Sequence, residues 1–178
     1  MRLSPKALSL VVFTTWIGTC LFTFWWFQFR HIGSFENNLA TFDGSELSQF
    51  HLRPADNMGA IVVHFIDPDC PCSRFSIPHV EDLEQKFAGI AEFRTQSSVS
   101  ALPKNLRIPA TPAVAIWNKE GDLAYFGPYS GGAICGTGSD FVATVFNQLQ
   151  NGVNPQWINL DAVGCFCPHG DNNKVAML

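Results

Sequence analysis

Ile61-Val62-Val63-His64-Phe65-Ile66, then Asp67-Pro68-Asp69, then Cys70-Pro71-Cys72-Ser73 and on to Leu83, is the stretch on which the rest of the chain is organised. The apolar run suits a buried strand, because Val and Ile fit a pleated, packed surface. Pro68 and its flanking aspartates stop that strand. Pro71 suits the first position of a helix, where its missing N–H costs nothing. Cys70 then falls at the helix N-cap, facing unpaired N–H groups that favour negative charge and lower a thiol pKa. Two readings follow for Cys70 and Cys72: a reactive pair at a strand-to-helix junction, or a buried structural pair.

The cysteine helix is expected to run to about Phe87, with Phe75, Val80, Leu83 and Phe87 on one buried face and Pro78 kinking it. Ala91 to Gln96 reads as a strand and 97 to 106 as irregular. Thr111-Pro112 then opens a strand through Trp117. Asn118 to Asp122 is a hairpin turn, and Leu123 to Phe126 the returning strand. A glycine-rich stretch, 127 to 138, holds Cys135. Ser139 or Asp140 caps a last helix to about Gln150, with Phe141, Val145, Phe146 and Leu149 inward. The tail carries a second C-x-C, Cys165-Phe166-Cys167, followed by Pro168 and His169; Asp171 to Lys174 read as frayed.

Upstream, residues 7–29 form an uncharged apolar run, long enough for the roughly 20 residues that span a bilayer. Trp25, Trp26 and Phe27 sit near its end, as interfacial aromatics do. Arg2, Lys6 and the amino terminus precede it, against Arg30 alone after it. The positive-inside rule therefore puts the N-terminus in the cytoplasm. No small-x-small cleavage site follows, so the run reads as an uncleaved anchor, with Cys20 a small membrane-helix residue. The expected division is 1–30 for cytoplasmic stub and anchor, 31–38 for a linker, 39–152 for the main domain and 153–178 for a cysteine-containing tail. Within the domain, Leu39 to Asp43 reads as a first strand and Glu46 to Leu52 as a short helix capped by Ser45.

The chain has 178 residues, 47% of them hydrophobic, and a net charge of −4. That leaves no basic patch for nucleic acid. Six cysteines, five of them beyond the anchor, point to an oxidising compartment or a metal site. No phosphate-binding glycine loop or Ser-His-Asp arrangement is present, and no cofactor is expected.

In order, a strand, a cysteine-bearing helix with an internal proline, and a proline-led strand hairpin resemble the thioredoxin superfamily. Laid on its W-C-G-P-C-K motif, Cys70 falls on the nucleophile, Arg74 on the lysine, Pro78 on the kink proline and His64 on the buried acid. Asp69 replaces the tryptophan, Ser73 the second cysteine, and Cys72 the motif proline. The resemblance covers about Leu39 to Gln150. It implies an α/β, thioredoxin-like fold: a central mixed β-sheet flanked by helices, here preceded by one transmembrane helix. It also implies a cis Thr111–Pro112 bond, with the Thr111 backbone free to pair with an extended, cysteine-bearing substrate. His64 is then a proton shuttle; by itself it reads equally as a core histidine.

Three functions follow. The first is thiol–disulfide exchange at the periplasmic face of a bacterial inner membrane, through Cys70 as nucleophile and Cys72 as resolving thiol. Its partner would be a protein thiol or disulfide, or a membrane redox protein. The second is a copper or zinc site from Cys70, Cys72, Cys165, Cys167 and His169, since thiolates suit soft metals. The third is a disulfide-stapled, non-catalytic binding domain, with Cys135 joined to Cys165 or Cys167.

Overall fold

A computed structural model describes residues 4–29, 32–35, 44–55, 58–97, 108–132 and 138–169. The expected strand at 39–43, most of the irregular stretch 97–106, Cys135 and the polar end at 171–174 lie outside these residues. The chain divides into two compact units, Met1–Ile32 and Gly33–Leu178.

The first unit is built on α1, Pro5–Phe29. Its span Pro5–Phe27 is long and apolar enough to cross a membrane, with mean hydropathy 1.8, a test that a signal sequence also passes. Three of its hydroxyls are satisfied within the helix: those of Thr14, Thr19 and Thr23 donate to carbonyls one turn earlier, at 2.8–3.0 Å. Such internal satisfaction is what an apolar surround demands. Cys20 is an exposed free thiol on this helix.

Chain order then runs β1 (Ile32–Ser34), α2 (Ser45–Ser48), β2 (Ala60–Phe65), α3 (Pro71–Phe87) and β3 (Ala91–Gln96). It continues with β4 (Ala110–Thr111), β5 (Ala113–Asn118), β6 (Leu123–Gly127), α4 (Phe141–Gln150), β7 (Trp157–Ile158), β8 (Val163–Cys165) and β9 (Cys167–Pro168). A five-stranded sheet has the order β3-β2-β5-β6-β7, and short two-stranded sheets join β1 to β8 and β4 to β9. The β2–β3 and β6–β7 pairs are parallel, and β2–β5 and β5–β6 antiparallel. The architecture is thus α/β around a central mixed sheet.

Both faces of that sheet are covered, which is why β2 and β5 read as continuous apolar runs rather than alternating ones. Side chains still alternate by pleat. Ala60, Val62, Val114 and Ile116 face α3 and α4, packing with Val80, Leu83, Val145 and Phe146. Ile61, Phe65, Ala113, Ala115 and Trp117 face the opposite cluster with Phe35, Leu47 and Phe166. Residues after 152, read from the sequence as a tail, supply three strands. β7 extends the main sheet, with Trp157 edge-on to Tyr125 and to Phe141 at 5.2 and 5.3 Å.

Two local expectations are corrected. The short helix is Ser45–Ser48 with Gly44, not Ser45, at the N-cap, and no side chain caps it. Gly44 has φ +74°, and a Cβ there would collide with Ile158. Phe50 and Leu52 leave the helix to pack against the second cluster. On α3, Phe75 is not inward: it is 64% exposed. The buried stripe is Cys72, Ser73, Ser76, Val80, Leu83 and Phe87, and at about 100° per residue Phe75 lies well off it. Pro78 lies inside α3 as expected. On α4, Asp140 is the N-cap and its carboxylate accepts from the Ala143 N–H at 2.8 Å.

Candidate functional site: two nested disulfides at a helix start

The strand-to-helix turn after β2 is closed by the chain's own polar groups. Asp67 Oδ1 accepts from the Asp69 N–H at 2.9 Å, and the Asp67 carbonyl accepts from the Cys70 N–H at 3.1 Å. Cys70 is the N-cap of α3, in extended conformation, with Pro71 beginning the helix. No side chain caps the first turn; Pro71 has no N–H, and the Ser73 N–H donates to the Cys70 carbonyl at 3.1 Å.

The expected Cys70–Cys72 pair is not what the structure contains. Cys70 is bonded to Cys167 and Cys72 to Cys165, with Cα–Cα separations of 5.9 and 5.5 Å. The bridges are nested: the first cysteine joins the last, and the inner two join each other. Two opposed C-x-C segments can make this arrangement because residues two apart on an extended chain share a side. Cys165 and Cys167 therefore both face α3, while Phe166 between them turns into the core. Both tail cysteines are thereby taken, so neither is left for the staple to Cys135 that the sequence suggested.

The tail strand is placed by β4. Thr111 pairs with Cys167 and Ala110 with Pro168, antiparallel. The Thr111–Pro112 peptide is cis. The Thr111 carbonyl oxygen is 3.7 Å from Cys70 Sγ; a disulfide sulfur has no proton to donate, so this becomes a hydrogen bond only when Cys70 is a thiol. The Pro109 carbonyl accepts from the His169 N–H at 2.8 Å, and His169 Nε2 meets Thr111 Oγ1 at 2.8 Å. Burial pushes the His169 pKa below its usual value, and the Asp67 carboxylate, 4.0 Å away, partly opposes that.

Burial is unequal across the bridges. Cys70 and Cys72 are 2% and 1% exposed, whereas Cys165 and Cys167 are half-buried. The Sγ atoms of Cys70, Cys72 and Cys167 all lie within 4.8 Å of one another. Cys70, Cys72, Thr111, Pro112, Cys165, Cys167 and His169 are thus gathered in one place.

His64 is not hydrogen-bonded to this group. Its Nδ1 meets the Tyr129 hydroxyl at 2.8 Å, and its ring stacks on Phe93 and Tyr129. Nε2 is 3.6 Å from Glu84, beyond hydrogen-bond reach. Burial lowers its pKa to about 4, so it is neutral at pH 7. Two participants escaped the sequence reading. Phe166 is 6% exposed and edge-on to Phe35 at 5.1 Å; its signal was an aromatic between two cysteines. Tyr129 had no signal beyond its place after a strand.

A family model described as a domain of unknown function (DUF6436) matches residues 39–169. No curated protein matches the chain. Among solved structures, a hypothetical protein from Sinorhizobium meliloti 1021 is 16% identical, with 63% of this chain and 79% of that chain covered and a TM-score of 0.48. An uncharacterized conserved protein from Geobacillus kaustophilus is 12% identical, with 66% and 79% covered and a TM-score of 0.37.

Proposed function

Since the chain belongs to the DUF6436 family, a domain of unknown function, its chemistry has to be read from its own residues, and we propose that it is a membrane-anchored thiol–disulfide exchange protein on a thioredoxin-like scaffold. The anchor is residues 7–29, and the exchange domain stands in the periplasm of a bacterium, the orientation that Arg2 and Lys6 favour. The observation that carries the reading is the pair of nested disulfides, one of them ending at the N-cap of α3.

Exchange has a preferred entry. A partner dithiol reaches Cys167 more readily than the enclosed Cys70. Its thiolate attacks Cys167 Sγ, the Cys70–Cys167 bond breaks, and the electron pair leaves on Cys70. A helix start favours negative charge, which suits Cys70 as the leaving thiolate. The partner's second thiolate then attacks the mixed disulfide, releasing Cys167 as thiolate and carrying away a new disulfide. Two electrons enter the protein. In reverse, the Cys70 thiolate attacks a partner disulfide. The Cys72–Cys165 bridge can accept a second pair of electrons from another partner dithiol in the same way.

The test is a glutathione titration of the full chain in detergent, with thiols trapped by alkylation and located by mass spectrometry. Both bridges should open between roughly −120 and −230 mV, where exchange proteins lie. Resistance below about −300 mV, as structural disulfides show, would remove the catalytic reading. A second reading rests on the three converging sulfurs: once reduced, Cys70, Cys72 and Cys167 form a soft donor set for copper(I) or zinc, with Cys165 and His169 nearby in the chain. Reduced protein should then hold close to one equivalent of metal through gel filtration, and metal-free elution would exclude it.

A further inference from the structure

The segment that closes the site is bound to the domain as a separate peptide would be. Its backbone pairs with the short strand β4, Thr111 opposite Cys167 and Ala110 opposite Pro168. Such pairing is indifferent to sequence. Its Phe166 side chain fills a space in the cluster of Phe35, Phe65, Ile108, Ala110 and Phe126. That contact is selective, because only a large apolar group fills it. Its Cys167 is joined to Cys70. Backbone pairing, an aromatic anchor and a covalent sulfur bond therefore fall on adjacent residues of one extended segment.

When two equivalents of partner dithiol have reduced the two bridges, one each, the covalent hold on this segment ends. Displacing it then uncovers an unpaired strand edge, the Phe166 space and the Cys70 thiolate together. Unpaired edges and vacated apolar pockets both seek an occupant. We propose that this is the binding site for the protein's exchange substrate, an extended polypeptide with an aromatic residue directly before its reactive cysteine. Residues 163–169 are the chain's own occupant of that site. The proposal rests on the exchange reading and adds to it the substrate class and the internal competitor. Exchange with the substrate is balanced. The Cys70 thiolate attacks the cysteine sulfur of the peptide disulfide, the bond to the peptide's former partner breaks, and that partner leaves as a thiolate.

The test uses the full chain in detergent with Cys70 as its sole cysteine, the other five replaced by serine. The probes are heptapeptides Val-Gly-Ser-Phe-Cys-Pro-His and Val-Gly-Ser-Ser-Cys-Pro-His, each activated as a mixed disulfide with thionitrobenzoate. Chromophore release reports capture by Cys70. The aromatic peptide should react about tenfold faster, a discrimination that an apolar pocket can supply. Adding Phe166→Ser, which clears the site, should raise the rate of the aromatic peptide more than that of the serine peptide or of free dithiobis-nitrobenzoate. Equal rates for the two peptides, with normal reaction of the small disulfide, overturn the substrate assignment and leave the exchange reading standing. A folded protein whose Cys70 reacts with neither peptide nor small disulfide overturns both. If the Phe166→Ser chain does not fold, the two-peptide comparison in the chain that keeps Phe166 still decides.

Discussion

The two C-x-C segments have the same pattern and opposite physical settings. Cys70 and Cys72 are fixed by a helix start and enclosed; Cys165 and Cys167 lie on a short extended segment and are half-buried. In each bridge, under the proposed exchange function, one sulfur is therefore the accessible target and the other the sheltered leaving group. The direction of opening follows from this difference between the two sides, since identical cysteines would give none. Under the proposed exchange function it also separates stability from chemistry: the tail side would hold the fold closed, and the helix side would carry the reactive thiolate.

The largest expected effect breaks the comparison outright. The bridges span 97 and 93 residues but are nested. Either one alone closes almost the whole loop, and the second closes only a few residues more. Removing one bridge as a pair, Cys70→Ser with Cys167→Ser or Cys72→Ser with Cys165→Ser, should therefore cost about 2 kcal/mol, and removing both about 7 kcal/mol. Urea unfolding of the variants checks this. Equal, additive losses would mean that the bridges act independently.

Next in size is Phe166→Ala, which keeps both bridges and empties the space beside Phe35. A buried Phe→Ala typically costs about 3–5 kcal/mol. The same variant should open its disulfides at a less reducing potential, because the segment that carries their outer sulfurs is held less firmly. Stability loss without any change in potential would show that the tail packs independently of its cysteines.

His64 contributes a pH dependence. Its pKa falls to about 4 in the folded protein through burial. Between that value and the unfolded 6.5, only the unfolded chain binds the proton. Stability is therefore complete above about pH 6.5 and declines as pH falls towards 4, by about 3 kcal/mol in all. His169, also depressed by burial, adds in the same direction. His64→Gln keeps a polar partner for Tyr129 and should flatten most of that slope. A slope unchanged by the substitution would assign the acid sensitivity elsewhere.

Much of this architecture was legible because local chemistry and tertiary position agreed. The apolar run Ile61 to Ile66, the Cys-Pro helix start, the hairpin at Asn118 to Asp122 and the Asp140 cap are set by neighbours in sequence. The cysteine pairing was not legible. It depends on residues more than 90 positions apart, brought together by the pairing of β4 with β9, two strands of two residues each. Such short strands have no periodicity to read. His64 shows another boundary: an internal polar residue in a strand was visible, but its partner Tyr129 comes from the loop after β6 and its stacking neighbour Phe93 from β3.

The smallest expected effect sharpens the helix side. Phe75 reads as core by composition, yet on α3 it points away from the stripe that ends at Leu83 and Phe87. Phe75→Ser should change stability by within about 0.5 kcal/mol, as surface substitutions do, while Leu83→Ala on the same helix should cost about 2–5 kcal/mol. The pair is a control on the face that α3 turns to the sheet, and hence on where Cys70 and Cys72 sit at its start. If Phe75→Ser proved as damaging as Leu83→Ala, α3 would be rotated from the orientation described, and Cys72 would no longer face Cys165. If it is silent in stability yet slows capture of partner proteins by Cys70, then Phe75, one residue after Arg74 and exposed near the helix start, belongs to the surface that receives those partners.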